Sequence, residues 1–120
     1  MIDLISDLPE NVIGFTAVGK VTGEDYEATI VPIIEEHLKK NNKIRLLYVC
    51  GDEFTGFNAA AAWEDTKVGM RHLSSWERVA VVTDVDWIRG AMKVFGFAMP
   101  GHVRVFKVDE LGDAKEWISE

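Results

Sequence analysis

The segment from Ile44 to Trp63 places the strongest limits on the fold of this chain. It begins with an apolar strand, Ile44–Cys50, in which Arg45 is the one charged residue. Strands that are apolar on both faces are typical of sheets covered by helices, so this strand is expected near the centre of a sheet. A glycine-containing stretch, Gly51–Phe57, and an alanine-rich helix follow. This order predicts an α/β domain with a candidate site at the strand–helix junction.

Composition and charge describe one compact acidic domain. The 120 residues are 48% hydrophobic and 28% charged. A chain of this length buries roughly two thirds of its unfolded surface around a single core, so we expect one domain spanning residues 1–120. The formal net charge of −7 opposes binding to phosphate backbones, which argues against nucleic acid as a partner.

The cysteine content and the apolar runs predict a cytoplasmic protein without membrane insertion. Cys50 is the only cysteine in the sequence, so no internal disulfide can form. Its position in an apolar strand predicts a small buried hydrophobe. The first residues carry acids where a signal peptide carries bases, and no apolar run is long enough to cross a bilayer.

Hydrophobic periodicity predicts an opening pair of antiparallel strands, Met1–Ile5 and Val12–Val18, followed by alternating helices and strands. Thr22 and Asp25 have the spacing of a capping box, and the helix after them is expected to kink or restart at Pro32. The later elements are, in chain order, strand Ile44–Cys50, helix Phe57–Ser75, strand Arg78–Asp84, helix Val85–Phe97 with Pro100 after it, edge strand His102–Val108, and a short helix capped by Asp109 or Asp113.

This order predicts an α/β fold with a mixed sheet of about five strands packed with about four helices. The sheet has a short antiparallel start, and long helical connections then require parallel crossovers. In the second helix a three-four spacing predicts a buried stripe, with the charged residues beside or opposite it. The stripe consists of Ala59, Trp63, Thr66, Met70 and Leu73, and the charged residues are Glu64, Asp65, Lys67 and Arg71.

Several segments, in their order and spacing, resemble one family. They are the helix from Ala60 to Leu73 with Trp63 and His72, the strand from Glu77 to Asp84 followed by Trp87, the strand Val103–Phe106, and the ending from Ala114 to Ile118. Together they resemble the SpoIIAA-like family, small bacterial cytoplasmic proteins grouped with the STAS and SEC14 (CRAL-TRIO) folds. The resemblance implies a mixed sheet with helices packed on it.

The same resemblance raises the question of a phosphorylation site. In the anti-sigma-factor antagonists that gave the fold its name, a serine followed by glycine at the start of a helix is phosphorylated to switch partner binding. Thr55-Gly56 is the nearest match in this sequence. A helix N-terminus would stabilise the added charge, whereas Asp52 and Glu53 would repel it. The alternative for Thr55 is a plain helix cap.

Acidic residues follow two neighbouring predicted strands. Asp52 and Glu53 follow the first, and Asp84 and Asp86 follow the second. Together they could hold a divalent cation or, in the reading that the spacing favours, cap two helices. Use of Asp52, Glu53 and Asp84 in acid–base catalysis is a third, more distant hypothesis. Neither the three histidines (His37, His72 and His102) nor the glycines of Gly51–Gly56 have the spacing of a metal, cofactor or nucleotide site, so we expect none.

Large apolar side chains near the second and third helices exceed what one helix face can bury. They are either ordinary core or a contiguous patch for a protein partner or an apolar ligand. Trp87, Phe97 and Met99 are the expected exposed members, because they flank the third helix. The candidate contact residues are Phe54, Phe57, Trp63, Trp87, Phe97 and Met99.

Two hypotheses for function follow. The first is a noncatalytic, STAS-like regulatory or protein-binding module that acts through protein contacts or self-association. The second is a SEC14-like carrier that holds a lipid or another apolar small ligand between the second and third helices and the sheet. The lack of a convincing catalytic constellation in the sequence favours both over an enzyme.

Overall fold

The computed structural model describes residues 1–71, 73–99 and 101–120, without the side chains at positions 69 and 73. His72 and Pro100, used in the sequence analysis, lie outside the described residues. Five strands form one mixed sheet in the order β1-β2-β3-β4-β5. The β1–β2 pair is antiparallel and the later pairs are parallel, as the sequence predicts. The strands are β1 Ile2–Leu4, β2 Val12–Val21, β3 Ile44–Phe57, β4 Trp76–Thr83 and β5 His102–Phe106.

Four helical runs connect or follow these strands. The first, α1, comprises Gly23–Asp25, a π-helical turn Tyr26–Ile30, and Val31–Lys40. The others are α2 Ala59–Arg71, α3 Asp86–Ala98 and α4 Leu111–Ser119, with short 3-10 turns at Leu73–Ser75 and Val108–Glu110. The predicted α/β class, strand number and helix number are confirmed.

The start of α1 confirms the predicted capping box and shows how the helix accommodates Pro32. The Asp25 amide donates to Thr22 Oγ1 at 3.2 Å, and the Thr22 amide donates to Asp25 Oδ2 at 2.9 Å. The helix continues through Pro32, because the turn before it widens until the Val31 amide donates to the Tyr26 carbonyl. A proline supplies no amide and crowds the preceding turn, and a wider turn relieves that crowding.

Helices cover both faces of the sheet, three on one face and one on the other. Helices α1, α2 and α3 cover one face, which includes Phe15, Leu46, Tyr48 and Val81. The C-terminal helix α4 covers the other face, where Ala114 and Ile118 are fully buried. The residues of that second cluster are Val12, Leu47, Val49, Ala80, Val82, Phe106, Ala114 and Ile118.

The sequence predicts a loop between Cys50 and the second helix, and this prediction is wrong. Strand β3 continues to Phe57, because β2 extends to Val21 and pairs with the additional residues, including Gly19 with Phe54 and Val21 with Phe57. Register shifts accommodate this pairing, with Gly19 at φ 65°. Asn58, whose Oδ1 accepts the Ala61 amide at 2.7 Å, supplies the side-chain cap at the start of α2.

Thr55 therefore lies in a strand and is neither a helix cap nor a residue at a helix N-terminus. Its side chain is exposed. The free amides at the start of α2 follow Asn58, so they would not stabilise a phosphate on Thr55. Phosphorylation of Thr55 stays a prediction that rests on the family resemblance.

The predicted buried stripe of α2 is also wrong. Trp63 is 63% exposed, whereas Ala61 and Val68 are buried. Small side chains set this rotation, since a Cβ at Gly23 would lie 2.8 Å from the Cβ of Ala60. The alanines at the start of α2 thus allow the helix to approach α1 closely, and Trp63 is left on the outer side.

The last strand and helix differ from the prediction only at their ends. Strand β5 lies at the sheet edge, as its alternation predicts, and ends at Phe106. Neither Asp109 nor Asp113 caps α4, which follows directly on the 3-10 turn through Glu110. Glu110 Oε1 instead accepts the Lys107 amide at 2.8 Å at the start of that turn.

Candidate functional site

A cleft of about 330 Å³ lies between α2, α3 and the sheet. Side chains from β3 and β4 form its floor, and apolar residues of the two helices form its sides. Trp87 and Ala91 on α3 and Met70 on α2 line the cleft and are also exposed, so it reaches the surface. The floor includes Leu46, Tyr48, Cys50, Val79 and Val81, and the sides include Val68, Ile88, Met92 and Phe95.

A chain of hydrogen bonds within the cleft ends at Asp65, the one charged residue among the described lining residues. The Tyr26 hydroxyl donates to Asp65 Oδ1 at 2.7 Å, and the hydroxyls of Tyr26 and Tyr48 are 3.2 Å apart. Because a hydroxyl carries one proton and Tyr26 donates its own to Asp65, Tyr48 must donate to Tyr26. Both protons therefore point towards the carboxyl group.

The surroundings of Asp65 disfavour its charged form. Apolar walls desolvate the side chain and raise the pKa of Asp65, an effect that the hydrogen bond from Tyr26 partly opposes. The Asp65 residue is nevertheless exposed to solvent, and this access limits the size of the shift. Burial, together with the charge of Asp65, also raises the pKa of Tyr26.

Sequence reasoning missed this cluster, although a local signal existed for each member. Asp65 follows Ala61 by four residues and precedes Val68 by three, which places an acid on the same side of α2 as its two buried residues. Tyr48 alternates with Leu46 and Cys50 along one face of β3. No local pattern predicts the hydrogen bond between Tyr26 and Asp65, because these residues are 39 positions apart in the chain.

Cys50 is buried, as predicted, and its thiol is protonated at neutral pH. Burial and the neighbouring charge of Asp65 raise its pKa to about 12. A thiol held in this form is a poor nucleophile. The cleft therefore presents Cys50 as part of its floor.

The four acids predicted to share one edge do not act together. Asp52 and Glu53 lie exposed along β3 and cap no helix, which corrects the capping prediction for them. Asp84 Oδ1 accepts the Val108 amide at 3.1 Å, and Asp86 lies in the first turn of α3 after Val85. Among the described residues, no three histidine, cysteine or acidic side chains are grouped as metal ligands would be.

The predicted aromatic contact residues fall into separate places. Phe54, Phe57 and Trp87 form one row, with ring centroids 5.0 Å and 6.0 Å apart along it, and the last two line the cleft. Phe97 is 93% exposed near β5, and Trp63 is exposed on α2. Trp87 and Phe97 are exposed as predicted.

Met99 is a correction, because it is only 5% exposed. It directly follows the last residue of α3, and its side chain packs into the core cluster on the cleft side of the sheet. Met99 lies after the end of α3, so the helical periodicity of α3 does not predict whether its side chain is buried.

A second, more open depression lies beside β5 and carries positive charge. Arg78, Lys93, His102 and Arg104 line it together with Trp117. The guanidinium groups of Arg78 and Arg104 lie 5.0 Å and 5.4 Å from the centre of the Trp117 ring, and Arg78 Nη1 donates to the Trp117 carbonyl at 2.8 Å. These two arginines therefore help to hold α4 against the sheet.

Comparison with known proteins gives the family of the chain. The model of the SpoIIAA-like family matches residues 12–119. The chain belongs to the SpoIIAA-like family. It is also similar to the crystal structure of an uncharacterized DUF3478-family protein with a SpoIIAA-like fold from Shewanella loihica PV-4, with 31% identity, a TM-score of 0.77, and coverage of 98% of this chain and 92% of that one. A search of functionally curated proteins gave no match.

Membership of the SpoIIAA-like family confirms the resemblance noted from the sequence and the STAS-like character of the module. None of the described helices of this SpoIIAA-like domain is long and apolar enough to cross a membrane. The family identifies the fold. The geometry of the cleft is the basis for inferring what the cleft binds.

Asp65→Asn is expected to stabilise the SpoIIAA-like domain at neutral pH. In the folded state the pKa of Asp65 lies above its ordinary value of 3.8, so the folded state binds the proton more tightly than the unfolded one. Folding stability then falls as the pH rises through the interval between those two pKa values and stays reduced above it. The amide has no charge and avoids this loss.

Urea unfolding of wild type and Asp65→Asn across acidic and neutral pH measures the difference. The gap in unfolding free energy is expected to close as the pH falls below 3.8, because Asp65 is then protonated in both states. A gap that stays constant with pH would contradict the assignment.

Proposed function

We propose that this SpoIIAA-like domain is a noncatalytic, cytoplasmic binding module that holds an apolar small ligand in the cleft between α2, α3 and the sheet. The size and lining of the cleft carry the proposal. Its volume of about 330 Å³ and its mostly apolar walls match the usual character of small-molecule sites, which combine such walls with a few polar groups. The Tyr48–Tyr26–Asp65 chain supplies the polar groups.

The chemical state of the cleft residues supports binding over covalent catalysis. The raised pKa of Cys50 keeps its sulfur protonated, and the Tyr26 hydroxyl is already hydrogen-bonded to Asp65. Met70 and Met92 add flexible side chains that adapt to ligands of different shape.

Ala91→Trp is expected to weaken binding of an apolar ligand about tenfold or more. Ala91 lines the cleft and is exposed at its mouth, so an indole there can block entry without disturbing the core. Ala98→Trp is the matched control, because Ala98 is exposed on the same face of α3 but does not line the cleft. A neutral solvatochromic dye such as Nile red, titrated by fluorescence, measures the affinity.

Equal affinities of wild type and Ala91→Trp for Nile red would show that the dye binds outside the cleft. Absence of dye binding to the wild-type protein would contradict the proposal, as would organic extracts of protein from its own cytoplasm that repeatedly contain no apolar compound.

The exposed face of α3 favours a second candidate function, binding of a second copy of this chain. Trp87, Val94 and Phe97 are exposed, and the other exposed residues between them on α3 are Gly90, Ala91 and a single charged residue, Lys93. An apolar helix face of this kind is typical of protein contacts. Thr55, also exposed, would add a regulatory phosphate in this reading of the protein as a STAS-like regulator.

Phe97→Glu is expected to abolish self-association through α3, because it places a charge at the most exposed apolar residue of that helix. Leu4→Glu is the control, since Leu4 is 58% exposed on β1, at the opposite edge of the sheet. Light scattering across a concentration series measures the mass. A wild-type protein that remains monomeric at all concentrations would exclude this candidate.

A further inference from the structure

We propose that the cleft selects ligands that carry a protonated amine on an otherwise apolar body, with Asp65 as the counter-ion. This inference rests on the proposed function and specifies its ligand class. It comes from three observations on the cleft: the direction of its hydrogen bonds, its charge, and the place of its polar group among apolar walls.

The two tyrosine hydroxyls of the hydrogen-bond chain have both used their protons, so at Asp65 the chain offers a ligand an acceptor. Tyr48 donates to Tyr26, and Tyr26 donates to Asp65 Oδ1. The nearby Thr66 hydroxyl donates to the Ala62 carbonyl at 3.0 Å, within its own helix. Asp65 lines the cleft, and its Oδ2 has no hydrogen-bond partner within the described part of the chain. A ligand group that meets Asp65 must therefore donate.

The charge of the cleft points to a cationic donor. Asp65 is the one charged residue among the described lining residues, so none of those residues supplies it with a cation. An ionised carboxylate beside apolar walls is only partly compensated by the Tyr26 hydroxyl and by the water that reaches it. A ligand ammonium group supplies both the opposite charge and N–H donors, and charge-assisted hydrogen bonds of this kind are stronger than neutral ones.

Other ligand head groups fit less well. A carboxylate or phosphate would face Asp65 with a like charge. A neutral hydroxyl could donate to Oδ2 but would leave the charge uncompensated. A ligand cation would offset the desolvation that raises the pKa of Asp65 and would favour its charged form.

Three probes with the same alkyl chain separate these possibilities: decylamine, decanol and decanoate. Displacement of Nile red by each probe, measured at neutral pH, gives relative affinities for wild type and for Asp65→Asn. We expect decylamine to bind wild type about ten- to a hundredfold more tightly than decanol, and decanoate to bind more weakly than both. Asp65→Asn should remove the preference for the amine and leave decanol binding nearly unchanged.

Glu64→Gln is the matched control, because Glu64 is the neighbouring acid on α2, pairs with Lys67 at 3.0 Å, and does not line the cleft. It removes the same charge and should preserve the amine preference. Equal binding of amine and alcohol to wild type, or an amine preference that survives in Asp65→Asn, would overturn the inference while the apolar site stands. Failure of Nile red and of all three probes to bind wild type would remove both the inference and the proposed function.

Discussion

Gly101→Ala is expected to lower the free energy of unfolding by about 3 kcal/mol or more. A Cβ at this position would overlap the carbonyl oxygen of Trp76 and lie 2.7 Å from that of Glu77. Both oxygens belong to the start of β4, and backbone atoms cannot rotate away as a side-chain end could. The strands would have to separate where β5 begins to pair with β4.

Thermal unfolding measures this effect, and a fall of about 10 °C or more in Tm is expected. Gly90→Ala is the matched control, because a Cβ at Gly90 would have no atom within 4 Å. Gly90 lies inside α3, where alanine favours the helix, so that variant should gain about 0.5–1 kcal/mol. A Gly101→Ala protein as stable as wild type would show that the close approach to β4 is absent in solution.

Tyr26→Phe is expected to destabilise the domain by about 2 kcal/mol. The Tyr26 hydroxyl is the central member of the cleft chain, accepting from Tyr48 and donating to Asp65. Removing it leaves one hydroxyl without an acceptor and one carboxylate without its donor. Water that enters the cleft can replace part of the lost contact, which keeps the cost from being larger.

Tyr48→Phe should cost less, about 1 kcal/mol or below, although it deletes the same atom from a similar ring. Tyr48 is the terminal donor, so its loss leaves the bond from Tyr26 to Asp65 at 2.7 Å intact. Urea unfolding of both variants at one pH measures the asymmetry. Equal costs, or a larger cost for Tyr48→Phe, would contradict the direction assigned to the chain.

The regular part of the fold could be predicted because its signals are local. The capping box of Thr22 and Asp25 and the alternation of β5 each depend on residues within a few positions of one another. The order of strands and long connecting helices then restricts the sheet to a mixed one with parallel crossovers. Burial of Cys50 follows from its place in a central strand.

The errors occur where distant segments compete with local preference. Gly51–Phe57 contains glycines and acids that favour a loop, but the end of β2 provides backbone partners, and the segment becomes strand. Trp63 has the spacing of a buried residue, but close packing of Ala60 against Gly23 rotates α2 and exposes it. Thr55 is predicted at a helix terminus but lies in β3, because the end of β2 pairs with this segment.

The amino-acid sequence alone determined the α/β class, the order of the elements, the family, and the expectation that apolar residues of α2 and α3 border a cleft. Hydrophobic periodicity and turn chemistry act over short distances, so the sequence carries them directly. Tertiary structure decided which residues the cleft contains. Asp65 meets Tyr26 because α1 and α2 pack beside each other over β3, and a hydrogen bond between residues so far apart in the chain depends on the rotation of both helices.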